Sequence, residues 1–206
     1  MNGRPLIAWA IEIAQASDMF SEVVVSTDDP ETAAIARRSG ASVPFMRPPH
    51  LADDYASTLS VVSHALGSLS KVGFDGALAC CIYPASILIT PEDLRLARAL
   101  LLHTGHDYSS AVVMYEHPIQ RALKLRPDGS LSFVDPSAAT QRTQDLPARW
   151  HDAGQFYWGR VAAWQSSTAV LQNSVGYEIP RHRAVDIDTE DDWVRAERLH
   201  ARTLTD

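Results

Sequence analysis

Ala77-Leu-Ala-Cys-Cys-Ile-Tyr83 is the apolar run that opens the stretch deciding the fold, residues 77–115. Its length and composition predict a buried strand. Pro91-Glu-Asp93 then opens a helix that reaches Leu102, and a second strand from Tyr108 to Tyr115 follows. A strand, a helix and a strand in succession indicate an α/β domain, because such units build parallel sheets.

The same alternation continues toward the N-terminus. In chain order, the sequence predicts a helix over 4–16, a β-branched strand over Glu22–Thr27, a helix from Asp28 to Gly40, a short strand over Val43–Phe45 and a helix over Ala56–Leu69. We therefore expect an α/β fold with a mostly parallel sheet, in a single domain that spans residues 1–206.

The pattern changes in an insertion of about residues 118–160. Pro127-Asp-Gly-Ser130 is a hairpin-type turn between two short runs, Ala122–Leu125 and Leu131–Val134. A polar loop then leads into the strand Gln155–Trp158. We expect an antiparallel excursion from the sheet here, of the kind that supplies subunit contacts or a substrate lid.

The composition describes a soluble globular protein, with 206 residues of which 46% are hydrophobic and 21% charged. A net charge of −7 argues against broad binding to nucleic acid or to anionic membranes. No apolar run is long enough to span a membrane, and no leader peptide opens the sequence. The adjacent Cys80 and Cys81 suit neither a disulfide nor a zinc site, and as buried thiols they favour a reducing compartment, which we take to be the cytoplasm.

Asp186-Ile-Asp188 is the most informative candidate for chemistry. In an extended segment the two carboxylates share one face while Ile187 packs behind them. Two carboxylates at a strand end can hold Mg²⁺, which normally serves a substrate phosphate. The acids could instead simply favour a helix N-terminus, because Thr189 and Asp192 form a capping-box pattern before a closing helix over 190–203.

Other motifs follow predicted strand ends, the edge at which open α/β sheets place their ligands. Arg47 could hold a phosphate or a base carbonyl through paired hydrogen bonds, although a surface ion pair with Asp53 or Asp54 explains it equally well. Tyr83 begins the motif Tyr-Pro-Ala-Ser and could line the same crevice.

The insertion adds cations and aromatic side chains. Lys124 and Arg142 could offset negative charge on a leaving pyrophosphate, or be ordinary solvated charges. The string His-Asp-Ala-Gly-Gln-Phe-Tyr-Trp, residues 151–158, suits a polar, hydroxylated ligand, although aromatic strands usually form core or interface. No serine lies in a nucleophile-elbow sequence, so hydrolysis by a Ser/His/Asp triad is not expected.

Taken in chain order, these motifs resemble a known family. They are Arg-Pro before an acidic loop at 47, Tyr-Pro at 83, Ile-Gln-Arg-Ala-Leu-Lys at 119, Gln-Asp-Leu-Pro at 144, Asp-Ala-Gly-Gln-Phe-Tyr-Trp-Gly at 152 and Asp-Ile-Asp-Thr-Glu-Asp-Asp-Trp at 186. Together they resemble the cytidylyltransferases that activate nonulosonic acids, relatives of CMP-sialic acid synthetase, and most of all the pseudaminic acid branch. The resemblance runs from Gly3 to about Leu199.

The resemblance implies transfer of CMP from CTP to a nonulosonic acid, with release of pyrophosphate, by a Rossmann-like nucleotidyltransferase that forms a homodimer through its insertion. It also implies a role for each matching residue. Asp186 and Asp188 would hold Mg²⁺; Arg47, Ala56 and Thr58 would surround the cytidine; Lys124 and Arg142 would face the sugar acid or the phosphates, Arg142 reaching toward the neighbouring subunit; and Tyr83, Gln155 and Tyr157 would line the sugar pocket.

The sequence departs from the family pattern in two respects. Tyr83-Pro-Ala85 and Ala153-Gly154 stand where sialic acid enzymes tend to have Gln-Pro-Thr and Asn-Gly, which favours a different nonulosonic acid. Family members also begin with a strand and a loop, roughly Ile-Pro-Ala-Arg-Gly-Gly-Ser-Lys, well before the helix that here starts near Gly3. That loop would bind the triphosphate and that strand would lie in mid-sheet.

We therefore expect a destabilised fold for this sequence, or one in which another segment or chain fills the gap, and little or no transferase activity. Two alternatives to a pseudaminic acid enzyme stay open. One is a cytidylyltransferase for another sugar acid. The other is an inactive binding or assembly module that keeps the dimer surface and has lost the nucleotide site.

Overall fold

The protein is described by a computed structural model that covers Met1 and residues 3–203, with side chains as far as residue 201. Within these residues the α-helices are α1 (Leu6–Ala16), α2 (Pro30–Arg38), α3 (Thr58–Ser70), α4 (Pro91–His103), α5 (Val161–Trp164) and α6 (Glu190–Thr203). The strands are β1 (Leu78–Ile82), β2 (Tyr108–Met114), β3 (Leu123–Leu125), β4 (Leu131–Phe133), β5 (Trp150–Arg160) and β6 (Ser174–Glu178). The strand, helix and strand predicted for residues 77–115 are confirmed as β1, α4 and β2.

The main sheet is mixed, so the prediction of a mostly parallel sheet is wrong. Its strand order is β1-β5-β2-β6. Only β2 and β6 pair in parallel, with Tyr108 opposite Ser174, whereas β5 is antiparallel to both of its neighbours. The reason is that the last strand of the insertion does not stay at the margin. It returns between β1 and β2, which run in one direction, and fills the space between them in the opposite direction.

The two strands predicted near the N-terminus are also reduced. The segments around Val24 and Ser42 form a single parallel bridge, with Val25 N–H donating to the Ser42 carbonyl at 2.9 Å and Ser42 N–H to the Val23 carbonyl at 2.8 Å. They lie outside the four-stranded sheet. A β-branched run extends as a strand only when a neighbouring ladder takes up its backbone groups, and two hydrogen bonds are too few to do so.

Helix α4 shows how local sequence builds the core beside the sheet. Its N-cap Thr90 and Asp93 exchange the two hydrogen bonds of a capping box. The apolar side chains of Leu94, Ala97 and Leu101 then recur on one face and are fully buried. They pack against β5, where the Trp158 indole N–H donates to the Leu94 carbonyl at 3.0 Å. This contact fixes the helix over the central strand.

The predicted hairpin in the insertion is confirmed as the antiparallel pair β3–β4, which forms a small sheet of its own. Its turn uses Gly129 at φ +83°, a conformation that glycine adopts without strain. Large apolar side chains remain exposed on this hairpin and the residue after it: Leu123, Leu125, Leu131 and Val134. The hairpin therefore carries apolar surface that the described residues do not cover.

Strand β1 forms one edge of the main sheet. Its outer edge has no strand partner among the described residues, and helix α3, which follows the 49–57 loop, contains no fully buried residue. The expected destabilisation is a matter for measurement and stays a prediction. None of the helices in the described part of the chain is both long and apolar enough to cross a membrane.

Candidate active site

The two candidate metal ligands lie in the segment between β6 and α6. Val185 is buried and Ile187 partly buried against Ile87 and Leu88, while Asp186 and Asp188 are exposed. The predicted alternation of side chains is therefore confirmed. The prediction of a strand at this place is wrong, because β6 ends at Glu178 and a 3₁₀ turn, Arg181–Arg183, precedes an irregular segment.

The carboxylates of Asp186 and Asp188 repel each other. Burial raises the pKa of Asp186, and the negative charge of Asp188, with a smaller contribution from Asp152, raises it further. Neither Asp186 nor Asp188 forms an ion pair with an arginine or lysine of the described residues. A divalent cation between the two carboxylates would remove the repulsion that raises this pKa.

The donor set fits Mg²⁺ better than a transition metal. In the described part of the chain, no group of three or more His, Cys, Asp or Glu side chains is arranged to hold a metal ion. Mg²⁺ is commonly bound by one or two carboxylates, with substrate phosphates and water completing its octahedron. The residues present are therefore suited to an ion that arrives with a nucleotide.

Strand β5 approaches Asp186 closely at a glycine. Gly154 has φ +62°, and a Cβ atom added there would lie 3.2 Å from the Asp186 Oδ2 atom. Both the backbone conformation and the space favour glycine at this position. The same residue therefore bends the strand and leaves room for the carboxylate.

Helix α6 begins directly after the acidic pair. Thr189 N–H and its hydroxyl donate to the Asp192 carboxylate, and Asp192 N–H donates to the Thr189 hydroxyl at 3.3 Å. The predicted capping box is confirmed. It accounts for Asp192, but it leaves Asp186 and Asp188 outside the cap, so capping alone does not explain the pair.

Two hydrogen bonds joined by a ring contact, together called the chain of hydrogen bonds, lead from the start of α3 toward Asp186. The Thr58 hydroxyl and the Tyr83 phenol lie 2.6 Å apart, and the Tyr83 and Tyr157 rings pack edge to face with centroids 5.7 Å apart. The Tyr157 phenol then donates to the Asp152 Oδ2 atom at 2.6 Å. The structure thus brings together Thr58, Tyr83 and Tyr157, which the sequence could only assign separately.

Asp152 belongs to the polar string at 151–158, but the sequence assigned it no site role of its own, and its contact with Tyr157 was not predicted. Regular alternation would place Asp152 and Tyr157, five residues apart, on opposite faces of a strand. The register shifts here, so that Ser110 faces Tyr157 and Val112 faces Asp152. Five residues of β5 therefore span two of β2, and this bulge turns both side chains to one face. A glycine inside an aromatic strand was the available signal.

The phenols of Tyr83 and Tyr157 stay neutral. Burial raises the pKa of Tyr157, and the hydrogen bond to Asp152 raises it further. Burial also raises the pKa of Tyr83. These groups therefore serve as hydrogen-bonding hydroxyls and do not act as bases near neutral pH.

Gln155 is placed in the interior, with 1% of its surface exposed. Its side-chain amide donates to the Arg183 carbonyl at 2.8 Å, and its own main-chain carbonyl accepts from the Ser86 hydroxyl at 2.7 Å and from Tyr83 N–H at 2.9 Å. Its observed contacts are with the protein chain, and its role toward a sugar stays a prediction.

Of the residues assigned to cytidine, Thr58 and Ala56 lie at the start of α3, whereas the contacts of Arg47 are with Thr27 and Asp28. Ala56 is half-buried just before α3, next to the N-cap Ser57. Arg47 N–H donates to the Thr27 carbonyl, and its guanidinium lies 3.3 Å from the Asp28 Oδ1 atom. The ion pair weighed for Arg47 therefore involves Asp28, and the alternative of Asp53 or Asp54 is wrong.

The two cations of the insertion that were predicted as site residues, Lys124 and Arg142, lie apart from these groups. Lys124 is exposed on β3, opposite Ser132. Arg142 is 72% exposed, and its Nε atom donates to the Asp145 Oδ2 atom at 2.8 Å. In the described residues neither cation contacts the acidic pair or the tyrosines, so this chain alone does not gather all of the predicted site.

Comparison with known proteins assigns the chain to a family. A family model described as cytidylyltransferase matches residues 1–197. The chain belongs to the cytidylyltransferase family. The pseudaminic acid cytidylyltransferase of Campylobacter jejuni is 35% identical over 199 residues, which cover 96% of this chain and 86% of that protein.

The chain is also similar to other cytidylyltransferases. The N-acylneuraminate cytidylyltransferase B of Danio rerio is 32% identical, over 96% of this chain and 46% of its own length. Among solved structures, a CMP:2-keto-3-deoxy-manno-octonic acid synthetase complexed with CTP superposes with a TM-score of 0.65 at 14% identity, covering 98% of this chain and 89% of that one. A 4-diphosphocytidyl-2C-methyl-D-erythritol synthase from Anaerococcus prevotii gives 0.62 at 9% identity, over 99% and 88%. These neighbours confirm the Rossmann-like α/β fold.

Proposed function

We propose that this cytidylyltransferase transfers CMP from CTP to a nonulosonic acid of the pseudaminic type. The oxygen of the acid's anomeric hydroxyl attacks the α-phosphorus, the bond from that phosphorus to the bridging β-oxygen breaks, and pyrophosphate leaves while the hydroxyl proton is lost. The 35% identity to the Campylobacter jejuni enzyme over nearly the whole chain supports the substrate class. A cytoplasmic setting is part of the same proposal.

The observation that carries this proposal is the exposed pair Asp186 and Asp188 beside the bulge of β5. When bound there, Mg²⁺ would neutralise phosphate charge and stabilise the charge that develops on the leaving pyrophosphate. The two carboxylates would hold the ion, and the buried Val185 and the partly buried Ile187 fix the segment that presents them. Positioning and charge stabilisation are what phosphoryl and nucleotidyl transfer require of a protein.

The sugar and nucleotide would lie on either side of the chain of hydrogen bonds. The neutral phenols of Tyr83 and Tyr157 can donate to hydroxyl, carbonyl or carboxylate oxygens, and Asp152 can accept from hydroxyl or amide groups. Arg47, Ala56 and Thr58 would surround the cytidine at the start of α3. Lys124 and Arg142 would contact the sugar acid or the phosphates only when the insertion closes over the site, or when the insertion of a second subunit reaches into it.

A homodimer is part of the proposal, and the exposed apolar side chains of the β3–β4 hairpin support it, led by Leu125 at 73% exposure. Light scattering tests this directly. We expect the wild type to be dimeric and Leu125→Asp combined with Leu131→Asp to be monomeric. A wild-type chain that is monomeric at micromolar concentration would contradict the assembly and leave Arg142 without a partner site.

The reaction is tested by measuring pyrophosphate release from CTP with a panel of nonulosonic and octulosonic acids. The assay uses this chain and a chimera that carries the strand and phosphate loop of a family member before Met1. We expect turnover with pseudaminic acid in the chimera and none in the Asp186→Asn or Asp188→Asn chimera, with the chain itself assayed in parallel.

Turnover with a different acid would redirect the substrate assignment, and wild-type rates in the Asp186→Asn chimera would remove the metal assignment. The inactive assembly module is favoured by the open edge of β1 together with the exposed hairpin. Calorimetry of the chain and the chimera with CTP and Mg²⁺ separates it from the enzyme, because a module without a nucleotide site gives no binding heat.

A further inference from the structure

A buried ion pair lies next to the acidic segment and has no part in the mechanism above. The Asp93 carboxylate at the start of α4 is 2% exposed and receives both terminal nitrogens of Arg183, one of them at 3.0 Å. The Tyr177 phenol of β6 donates to the same carboxylate at 2.9 Å, and Thr90 adds its N–H and its hydroxyl. The carboxylate therefore accepts five hydrogen bonds from three separate parts of the chain.

Stability alone is a poor reason for such a pair. Burying two charges costs hydration energy that their attraction often only offsets, and apolar side chains of similar volume can serve a fold as well or better. Burial by itself would raise the pKa of Asp93, but the hydrogen bonds from Arg183 and Thr90 hold that pKa below its usual range. The pair is therefore ionised, its hydrogen bonds are directional, and moving either charge away from its partner would cost free energy. Such a pair is suited to holding the segments that carry it in a fixed geometry.

What the pair fixes is the approach to the metal ligands. Arg183 lies three residues before Asp186, and its carbonyl accepts the buried amide of Gln155 from β5. The residue before Gln155 is Gly154, and a Cβ atom added to Gly154 would lie 3.2 Å from the Asp186 Oδ2 atom. Arg183 is therefore tied to α4 by its guanidinium and to β5 by its carbonyl, at the point where the chain turns toward Asp186.

We propose that Asp93 and Arg183, braced by Tyr177 and Gln155, are positioning residues that set the distance between Asp186 and strand β5 and thereby the affinity of the site for a divalent ion. The inference rests on the metal role given to Asp186 and Asp188. It assigns a function to four side chains, none of which needs to touch the substrate.

The experiment compares the wild type with a double variant, Asp93→Asn with Arg183→Met, that removes both charges together, keeps the side-chain volumes close and leaves an amide oxygen to accept the capping hydrogen bond from Thr90 N–H. Mn²⁺ serves as the probe, titrated with CTP present. We expect similar thermal stability but an affinity for Mn²⁺ lower by about 10- to 100-fold, the range typical for loss of groups that orient metal ligands. Without metal, the backbone amide resonances of Gly154 and residues 186–188 should shift or broaden.

Arg95→Met is the matched control. Arg95 lies on α4 and donates to the main-chain carbonyls of Ser17 and Ala16 and to the Glu92 carboxylate, so its hydrogen bonds go to the end of α1 and to its own helix rather than to the Arg183 segment. It should leave both the Mn²⁺ affinity and these resonances unchanged. Arg183→Lys keeps the charge but not the paired geometry, and it should give an intermediate loss of affinity should the double variant fail to fold.

Wild-type affinity and unshifted resonances in the double variant, or in Arg183→Lys, would overturn the positioning role. The resonance comparison requires no metal, so it decides that role by itself. The metal assignment is judged separately by Asp186→Asn, and an unchanged Mn²⁺ affinity in that variant would remove the proposed function's metal site without altering the resonance result.

Discussion

The centre of the main sheet and its β1 edge differ sharply in how they are packed. On the central strands β2 and β5, most side chains are buried, and α4 covers them with a fully buried face. At the β1 edge, neither the strand nor helix α3 contains a fully buried residue. The candidate site spans both regions, because Asp152 and Gly154 lie on β5 whereas Thr58 and Tyr83 lie on α3 and just after β1. The half that would hold the metal therefore adjoins the well-packed centre, while the half that would hold the nucleoside depends on the less packed edge.

The largest expected effect concerns packing. Phe156→Ala on β5 removes a fully buried ring that belongs to the core cluster with Leu94 and Trp158, and should lower the free energy of unfolding by about 3–5 kcal/mol. Ile82→Ala on β1 removes a partly buried side chain and should cost clearly less, about 1–2 kcal/mol. Urea unfolding of both variants measures the contrast. Equal losses of stability would show that the centre of the sheet and its β1 edge are packed alike.

Next in size is a substitution at the bulge. Gly154→Ala places a methyl group 3.2 Å from the Asp186 Oδ2 atom at a positive φ, so it should displace the carboxylate and weaken Mn²⁺ binding about tenfold. Gly129→Ala is the control, since its φ is +83° and nothing lies within 4 Å of the added Cβ atom. Both variants should lose about 1–2 kcal/mol of stability from backbone strain. Equal metal affinity in the two variants would argue that Gly154 serves only the turn.

A smaller effect is expected along the chain of hydrogen bonds. Tyr157→Phe removes the donor to Asp152 and should raise the KM for the sugar acid by about fivefold, corresponding to roughly 1 kcal/mol for one hydrogen bond, with the KM for CTP unchanged. Steady-state kinetics on the active chimera give both constants. A rise confined to the KM for CTP would place the phenol on the nucleotide side.

The smallest expected effect is on the pH dependence of stability. Folding raises the pKa of Asp186, so the folded state favours the protonated carboxyl. The free energy of unfolding therefore falls as pH rises from the unfolded-state pKa of this carboxyl through its raised folded-state pKa. Asp186→Asn without metal should therefore raise Tm slightly at neutral pH, and the gain should vanish in acid. Asp29 has the opposite sign, since the Thr32 hydroxyl and N–H lower its pKa. Thermal melts between acid and neutral pH test both directions.

Local signals explain which features the sequence predicts well. The start of α4 at Pro91, the capping box at Thr189, the turn at Gly129 and the alternation of Val185, Asp186 and Ile187 each depend on residues within a few positions of one another. These features were predicted correctly. Their physical causes, side-chain caps, positive φ and burial of alternate side chains, are all legible over short spans.

Features that depend on distant parts of the chain were missed. The central place of β5 follows from pairing with two strands that precede it by up to about 80 residues, and no local pattern reports it. The Asp93–Arg183 pair joins residues 90 positions apart. The bulge that brings Asp152 to Tyr157 reverses the parity on which strand prediction relies. In each case a contact between distant segments overrides what the neighbouring residues suggest.

The position of β5 also has a consequence for biosynthesis. Strands β1 and β2 emerge from the ribosome well before residue 150, yet each needs β5 as its neighbour. Until that late strand is made, the early half of the chain exposes two unpaired edges, a state in which nascent chains are prone to associate wrongly. We expect folding to be slow and to begin only after translation of residue 160, so that the rate at which this segment is synthesised governs the yield of native protein.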